Sequence, residues 1–178
     1  MVKPLETGGG DAETLKDLAE LGEPLDEIAP FRFARPVAPL VAARAEGREL
    51  TLEQVHARVK QLATRHELAL VEGAGGVLVP AGDGWTILDL AAALAMPVLV
   101  VARPGLGTVN HSLLTVEVLR RAGLDVAGVV LNGEDPLVES NRELIEEFGG
   151  VATFRKRWGP LPGQIDPGLV SLWEEARV

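Results

Sequence analysis

Three uninterrupted apolar runs punctuate the chain: Leu68 to Val71, Pro97 to Ala102 and Val126 to Leu131. None alternates polar with apolar residues, which is the pattern of strands covered on both faces in a parallel sheet. The stretches between them have helical spacing. Thr51 to Arg65 opens with Thr51 and Gln54 in capping-box spacing, then repeats Leu52, Val55, Val59 and Leu62 on one face. Thr86 to Ala95 predicts an apolar helix packed on both sides. Thr108 to Ala122 places Thr108 at an N-cap and Arg120 and Arg121 in the last turn, and stops at Gly123. Leu137 to Phe148 predicts an amphipathic helix with Glu146 and Glu147 outward. A short strand at Val151 to Phe154 and a last helix from Asp166 to Ala176 follow. The Pro-rich segment Gly22 to Arg48 is poorly periodic and reads as a long connection with at most short helical pieces.

Strand, turn and helix repeated in this way predict an α/β fold with a mostly parallel sheet, in one domain spanning residues 1–178. In such sheets ligands bind beyond the carboxyl ends of the strands. The glycine-rich segments fall there: Glu72-Gly73-Ala74-Gly75-Gly76 after the first run, Gly105-Leu106-Gly107 after the second, Asn132-Gly133 after the third. Three candidate site segments are therefore expected on one edge of the sheet.

Composition narrows the partners. A chain of 178 residues with 47% hydrophobic and 24% charged residues can bury a real core. Aromatic residues make up only 4%, so that core is aliphatic. The net charge of −9 argues against a nucleic-acid partner, which needs a basic face, but not against a nucleotide. No cysteine is present, which removes disulfides, thiolate metal sites and a cysteine nucleophile and suits a cytoplasmic protein. Asp89 and Arg103-Pro104-Gly105 interrupt the best apolar stretches, so no membrane span is expected. The start has no signal-peptide character.

Several residues have the chemistry of a phosphate site. Glu72 at a strand end, followed by Gly73, Ala74 and Gly75, lets a carboxylate and backbone N–H groups approach a metal-bound phosphate. The same residues also describe a turn whose glycines take positive φ, with Glu72 merely solvated. Lys3, in Lys3-Pro4-Leu5-Glu6-Thr7-Gly8, is placed to stabilise charge on a transferred group, or is simply a solvated lysine near the start. Asp11, after Gly8-Gly9-Gly10, suits either a hard-oxygen metal ligand or the N-cap of a helix running to Ala19.

Together these pieces resemble the dethiobiotin synthetase family in order and spacing. The resemblance is carried by Lys-Pro-x-x-Thr-Gly at Lys3, Asp11, the stretch Phe31 to Pro39, and Val71 to Gly76. It continues through Gly107-Thr108-Val109-Asn110-His111 and Gly128 to Asn132, and covers Met1 to about Pro162. It implies a three-layer P-loop-type fold and an ATP-dependent reaction joining CO2 to 7,8-diaminononanoate, which closes a ureido ring. Lys3 then matches the catalytic lysine and Thr7 a substrate-contacting hydroxyl. Asp11 and Glu72 match Mg²⁺ ligands beside the ATP phosphates. Gly73, Ala74 and Gly75 match the phosphate turn, and Asn132 with Gly133 the adenine-reading position. Leu161, Pro162 and Gly163 match the loop on the other side of the base. Gly107, Thr108, Val109 and Asn110 match a segment gripping the substrate carboxylate across a homodimer. His111 is expected to be structural, as a buried or capping residue.

The resemblance departs from the family at its start. No Gly-x-x-x-x-Gly-Lys-Thr loop, with its strand and helix, precedes Lys3. The expectation is of a chain lacking its first strand, P-loop and first helix, with ATP turnover impaired in this form. Two other readings stand beside it: a non-catalytic remnant that dimerises or only binds substrate, and a related P-loop ligase or amidotransferase.

Overall fold

The computed structural model describes residues 1–156. The chain divides into two compact units, Met1–Leu94 and a second beginning at Ala95.

The first unit is built around a short parallel pair. Strand β1 (Leu5–Thr7) pairs with β2 (Phe31–Phe33), setting Leu5 opposite Phe31 and Thr7 opposite Phe33. Between them lie α1 (Asp11–Leu18) and α2 (Leu25–Ile28). Helices α3 (Pro39–Ala45) and α4 (Leu52–Ala63) follow. The hairpin β3 (Pro80–Gly82) and β4 (Trp85–Thr86) then leads into α5 (Ile87–Leu94).

The core of this unit joins Leu5 and Phe33 of the strands to Val55, Val59 and Leu62 of α4, with Trp85, Ile87 and Leu90. The α4 stripe is therefore the one its spacing predicts, with Leu52 packed at its margin. Its capping box also forms: the Thr51 hydroxyl accepts from Gln54 N–H, and the Gln54 side chain accepts from Thr51 N–H.

In the second unit β5 (Val98–Ala102), β6 (Val126–Asn132) and β7 (Thr153–Lys156) form a parallel sheet in that order. Helix α6 (Thr108–Arg121) connects β5 to β6, and α7 (Val138–Gly149) connects β6 to β7. Val129 and Leu131 of β6 are buried against Val116 of α6 and Val138 and Ile145 of α7. The Arg120 guanidinium donates to the carbonyls of Gly149 and Gly150, tying the end of α6 to the end of α7.

Several expectations are corrected. Leu68 to Val71 forms no full strand; Val71 makes a single parallel bridge to Val2, and the chain bends from Ala74 onward, with Gly75 at φ 76°. The connection Gly22 to Arg48 contains a strand, β2, whose three residues are too few to show periodicity. The last strand begins at Thr153, two residues later than expected. Helix α5 is not packed on both sides: Ala92 and Ala93 are exposed. Glu146 is not simply outward; it pairs with Arg142 and accepts from Thr153 N–H. The expected parallel pairing is present within each unit: β1 with β2 in the first, and β5, β6 and β7 in the second. The predicted helix Asp166 to Ala176 lies outside the described residues.

Candidate active site

Lys3 is held from both sides of its backbone. Val2 N–H donates to the Leu70 carbonyl and Glu72 N–H to the Val2 carbonyl, each at 2.8 Å, which seats Glu72 beside Lys3. On the other side Lys3 N–H donates to the Ile28 carbonyl at 2.8 Å, and Phe31 N–H to the Pro4 carbonyl at 3.1 Å. The stretch from Val2 to Pro4 thus runs between the Leu70–Glu72 segment and the approach to β2. That placement buries a lysine two residues from the start, with 6% of its surface exposed.

The buried ammonium meets two carboxylates. Lys3 Nζ lies 2.9 Å from Glu72 Oε1 and 3.0 Å from Asp11 Oδ2. Both acids are about half exposed, at 48% and 56% of their side chains, so the cluster opens to solvent on its acidic side. Burial works against the charged ammonium. The hydrogen bonds to Glu72 and Asp11, with their negative charges, outweigh that cost and raise the Lys3 pKa above its ordinary value of 10.5. Lys3 is thereby kept as a cation at neutral pH.

Asp11 reaches the cluster as the first residue of α1. The N-cap is Gly10, at φ 99°, with no side-chain cap, so the expectation of Asp11 as the cap is corrected. Gly8, Gly9 and Gly10 all take positive φ, and this left-handed run turns the chain from the end of β1 into α1. Thr7 closes β1 ahead of that turn, half-buried, and Gly8 N–H donates to the Phe33 carbonyl. After Glu72, a Cβ at Gly73 would stand 3.1 Å from Ile87 Cγ2, and Gly75 takes φ 76°. Ala74 packs on the core. The turn that carries Glu72 is thus seated on the first unit's core.

The second unit brings its own candidate residues to one sheet edge. Ala102 and Leu131 are partners in register, so the segments after β5 and β6 leave the sheet side by side. Gly107, at φ 90°, is the N-cap of α6; Thr108 is its first residue, not the cap. The Thr108 hydroxyl is buried, 3.5 Å from Ser112 Oγ, and Val109 packs into the core. Any ligand at this helix start would therefore meet backbone N–H groups and the exposed Asn110 rather than those two side chains. His111 is exposed, with Nδ1 3.3 Å from Arg103 Nη2, and is neither buried nor a cap. Asn132 ends β6 with its side chain exposed, and Gly133 N–H donates to the Lys156 carbonyl.

Comparison with known proteins gives this arrangement a family. A model of the AAA domain matches residues 1–165. The ATP-dependent dethiobiotin synthetase BioD of Anaeromyxobacter dehalogenans strain 2CP-1 is 48% identical over 174 residues, covering 93% of this chain and 76% of its own length. The protein of that name from strain 2CP-C is 54% identical over the same shares. That of Bacillus subtilis strain 168 is 39% identical over 169 residues, covering 93% of this chain and 69% of its own length. The chain belongs to the ATP-dependent dethiobiotin synthetase family.

As a dethiobiotin synthetase family member, the chain brings together three of its sequence-predicted site residues, Lys3, Asp11 and Glu72. Asn132, Gly133 and the Gly107 to Asn110 segment belong to the second unit, and Leu161, Pro162 and Gly163 lie outside the described residues. Two acids with one open side suit Mg²⁺, which is held by one or two carboxylates and completes its shell with water and phosphate oxygens. No cluster of three or more acidic, histidine or cysteine ligands occurs among the described residues, so a closed protein cage for a metal is not what these residues offer.

Glu6 and Arg32 form a further ion pair that the spacing of the sequence does not reveal. Glu6 is fully buried, with Oε2 2.6 Å from Arg32 Nε and Oε1 accepting from Ala12 N–H at 2.9 Å. A glutamate in the middle of an apolar strand, at Leu5-Glu6-Thr7, was the available signal, and Arg32 at the matching position of β2 its complement.

Proposed function

We propose that the protein forms dethiobiotin from 7,8-diaminononanoate, CO2 and ATP, with Lys3 at the reaction centre. The observation that carries this reading is the buried Lys3 ammonium gripped by Asp11 and Glu72, in a chain of this family. One substrate amine adds to CO2 and loses a proton, giving a carbamate. A carbamate oxygen attacks the γ-phosphorus of ATP and ADP leaves. The second amine then attacks the carbamate carbon, the ring closes, and inorganic phosphate departs.

Each step gathers negative charge on oxygens, and a cation fixed in place beforehand stabilises such charge more in the transition state than in the ground state. Lys3 supplies that cation without reorganising, since its two carboxylate partners already hold it in place. Asp11 and Glu72 would hold Mg²⁺, whose charge offsets that of the phosphates. Gly73, Ala74 and Gly75 offer backbone N–H groups to a phosphate, and Thr7 a hydroxyl to the substrate. Asn132 and Gly133, with Leu161, Pro162 and Gly163, are proposed to contact the adenine. A side-chain amide suits an adenine edge because it both donates and accepts. Gly107 to Asn110 are proposed to bind the substrate carboxylate at the start of α6.

The three-layer P-loop-type arrangement, a cytoplasmic location and a homodimer belong to the same proposal. The dimer is supported by the surface where α6 and α7 meet, with Leu113, Leu114 and Phe148 lining a groove and the last two exposed. The test of function is dethiobiotin formation by the protein, dependent on ATP and bicarbonate and abolished by Lys3→Ala. Formation at an unchanged rate in that variant would remove Lys3 from the chemistry. Diaminononanoate binding without turnover would favour a binding-only protein, and turnover of a different amine or carboxylate in a substrate panel would favour another ligase.

A further inference from the structure

We infer that Glu6 is a positioning residue for the reaction centre: it anchors the start of α1 so that Asp11 is delivered to Lys3. The inference rests on the function proposed above and extends it to a residue that touches neither substrate nor metal.

The need for an anchor follows from the chain between β1 and α1. Asp11 is joined to β1 through three consecutive glycines, and a Cβ at Gly9 or Gly10 would meet nothing within 4 Å. The connection is therefore free of packing at the two residues directly before Asp11, and glycine adds the greatest backbone freedom. Gly10, as N-cap, has no side chain with which to satisfy the first N–H groups of α1. Left to this linker, the first turn of the helix would fray and Asp11 would move with it.

Glu6 supplies what Gly10 lacks. Its Oε1 accepts from Ala12 N–H at 2.9 Å, so a side chain from β1 caps the helix from outside its own sequence. A carboxylate at this end also meets the positive pole of the helix. The charge is buried with no exposed surface, and Arg32 balances it through Nε at 2.6 Å from Glu6 Oε2. Arg32 Nη2 reaches Glu13 Oε1 at 2.6 Å, fastening the next residue of the same turn. The strand register fixes the pair, since Glu6 and Arg32 are Cα partners in β1 and β2. Asp11 thus precedes two residues, Ala12 and Glu13, each tied to the β1–β2 pair by a charged side chain. Ala12 also packs on Ile28 and Ala29, with Leu15 one turn further along α1 against the same cluster; the charged ties add fixed hydrogen-bond partners to that apolar contact at the first turn.

The experiment compares Glu6→Ala and Glu6→Gln with the unaltered protein by two readouts. The first is the rate of acylation of the Lys3 amine by an amine-directed reagent, followed by peptide mass spectrometry. It requires no turnover, so it stands even where the proposed function fails. The second is the Mg²⁺ concentration giving half-maximal dethiobiotin formation, measured apart from the rate at saturating Mg²⁺. Loss of a residue that orients a metal ligand costs about 10- to 100-fold in metal affinity or activity. Glu6→Ala is expected to raise Lys3 acylation severalfold and the Mg²⁺ requirement at least tenfold, with the saturated rate changed much less. Glu6→Gln, which keeps an oxygen for Ala12 N–H, is expected to recover most of both losses. If Glu6→Ala does not fold, Glu6→Met fills the same space with neither acceptor oxygen and makes the same comparison. Unchanged Lys3 acylation in Glu6→Ala or Glu6→Met would overturn the inference. So would a Mg²⁺ requirement equal to that of the unaltered protein in an active variant.

Discussion

Replacing Lys3 by Met separates the role of the ammonium in the reaction from its role in the fold. Methionine keeps an unbranched side chain of similar length in a site that is 6% exposed, and removes the charge that Asp11 and Glu72 share. Deleting one partner of a fully buried ion pair costs about 3–5 kcal/mol, because the remaining charge is stranded. Here the carboxylates left behind are about half exposed, so water takes over much of the ammonium's role, as it does for surface pairs worth about 0–1 kcal/mol. The ammonium also paid a desolvation penalty that Met does not. These considerations place the loss at about 1–2 kcal/mol, between the buried and exposed limits. The catalytic loss is expected to be larger, at about 10²-fold or more, by analogy with removal of a preorganised charge-stabilising donor. Urea unfolding at neutral pH measures the first, with an unchanged m-value showing that the same surface is exposed. Dethiobiotin formation measures the second. A stability loss above about 4 kcal/mol, with activity restored by stabilising the fold, would make Lys3 a structural keystone and refute the reasoning.

Three further outcomes are expected. Gly82→Ala would place a Cβ on Trp85 Nε1 and the Leu50 carbonyl, displacing the indole from a 2.9 Å hydrogen bond. Overpacking of about 1–3 kcal/mol, with a comparable cost for the stranded polar groups, should lower the thermal midpoint markedly; an unchanged midpoint would contradict the packing of the hairpin. On the acid side, Glu13, Glu46, Asp89 and Glu139 all have folded pKa values below their ordinary 4.5, 4.5, 3.8 and 4.5. The leading causes are the N–H of Glu13 itself, Ala34 N–H, the Thr86 hydroxyl and Arg142 respectively. Their stabilising contributions are present above those ordinary values and lost as pH falls through the depressed ones. The raised Lys3 value gives the opposite limb, present below 10.5 and lost above it. A thermal midpoint that rises on acidification below pH 4 would contradict this. Phe148→Asp is expected to convert a dimer into a monomer in sedimentation; an unaltered protein that is already monomeric at working concentration would remove the α6–α7 groove as an interface.

What the sequence showed, and what it hid, follows from the range of each interaction. The stripe of Val55, Val59 and Leu62 and the capping box at Thr51 are local, and a local pattern is enough to place α4. Strands β5 and β6 were readable because their apolar runs are long enough to stand out. Strand β2 has three residues, one of them an arginine, and is a strand because β1 lies beside it. Asp11 and Glu72 were recognisable as acids near glycines, but their meeting at one ammonium depends on the Val2–Val71 bridge, which joins residues 69 apart and leaves no trace in spacing. Glu6 was hidden for the same reason, since its partners are an arginine on another strand and the amide of a helix. The left-handed Gly107 displaced the expected cap at Thr108 because Thr108 buries its hydroxyl against Ser112 instead.

The path of one oxygen atom tests the reaction centre most directly. With ¹⁸O-labelled CO2 and bicarbonate, a carbamate oxygen that attacks the γ-phosphorus stays bonded to phosphorus when the ring closes. The released phosphate should therefore carry one labelled oxygen per dethiobiotin, and both products should vanish together in Lys3→Ala. Unlabelled phosphate alongside labelled dethiobiotin would show that the carbamate is never phosphorylated, and the role given to Lys3 would fall with it.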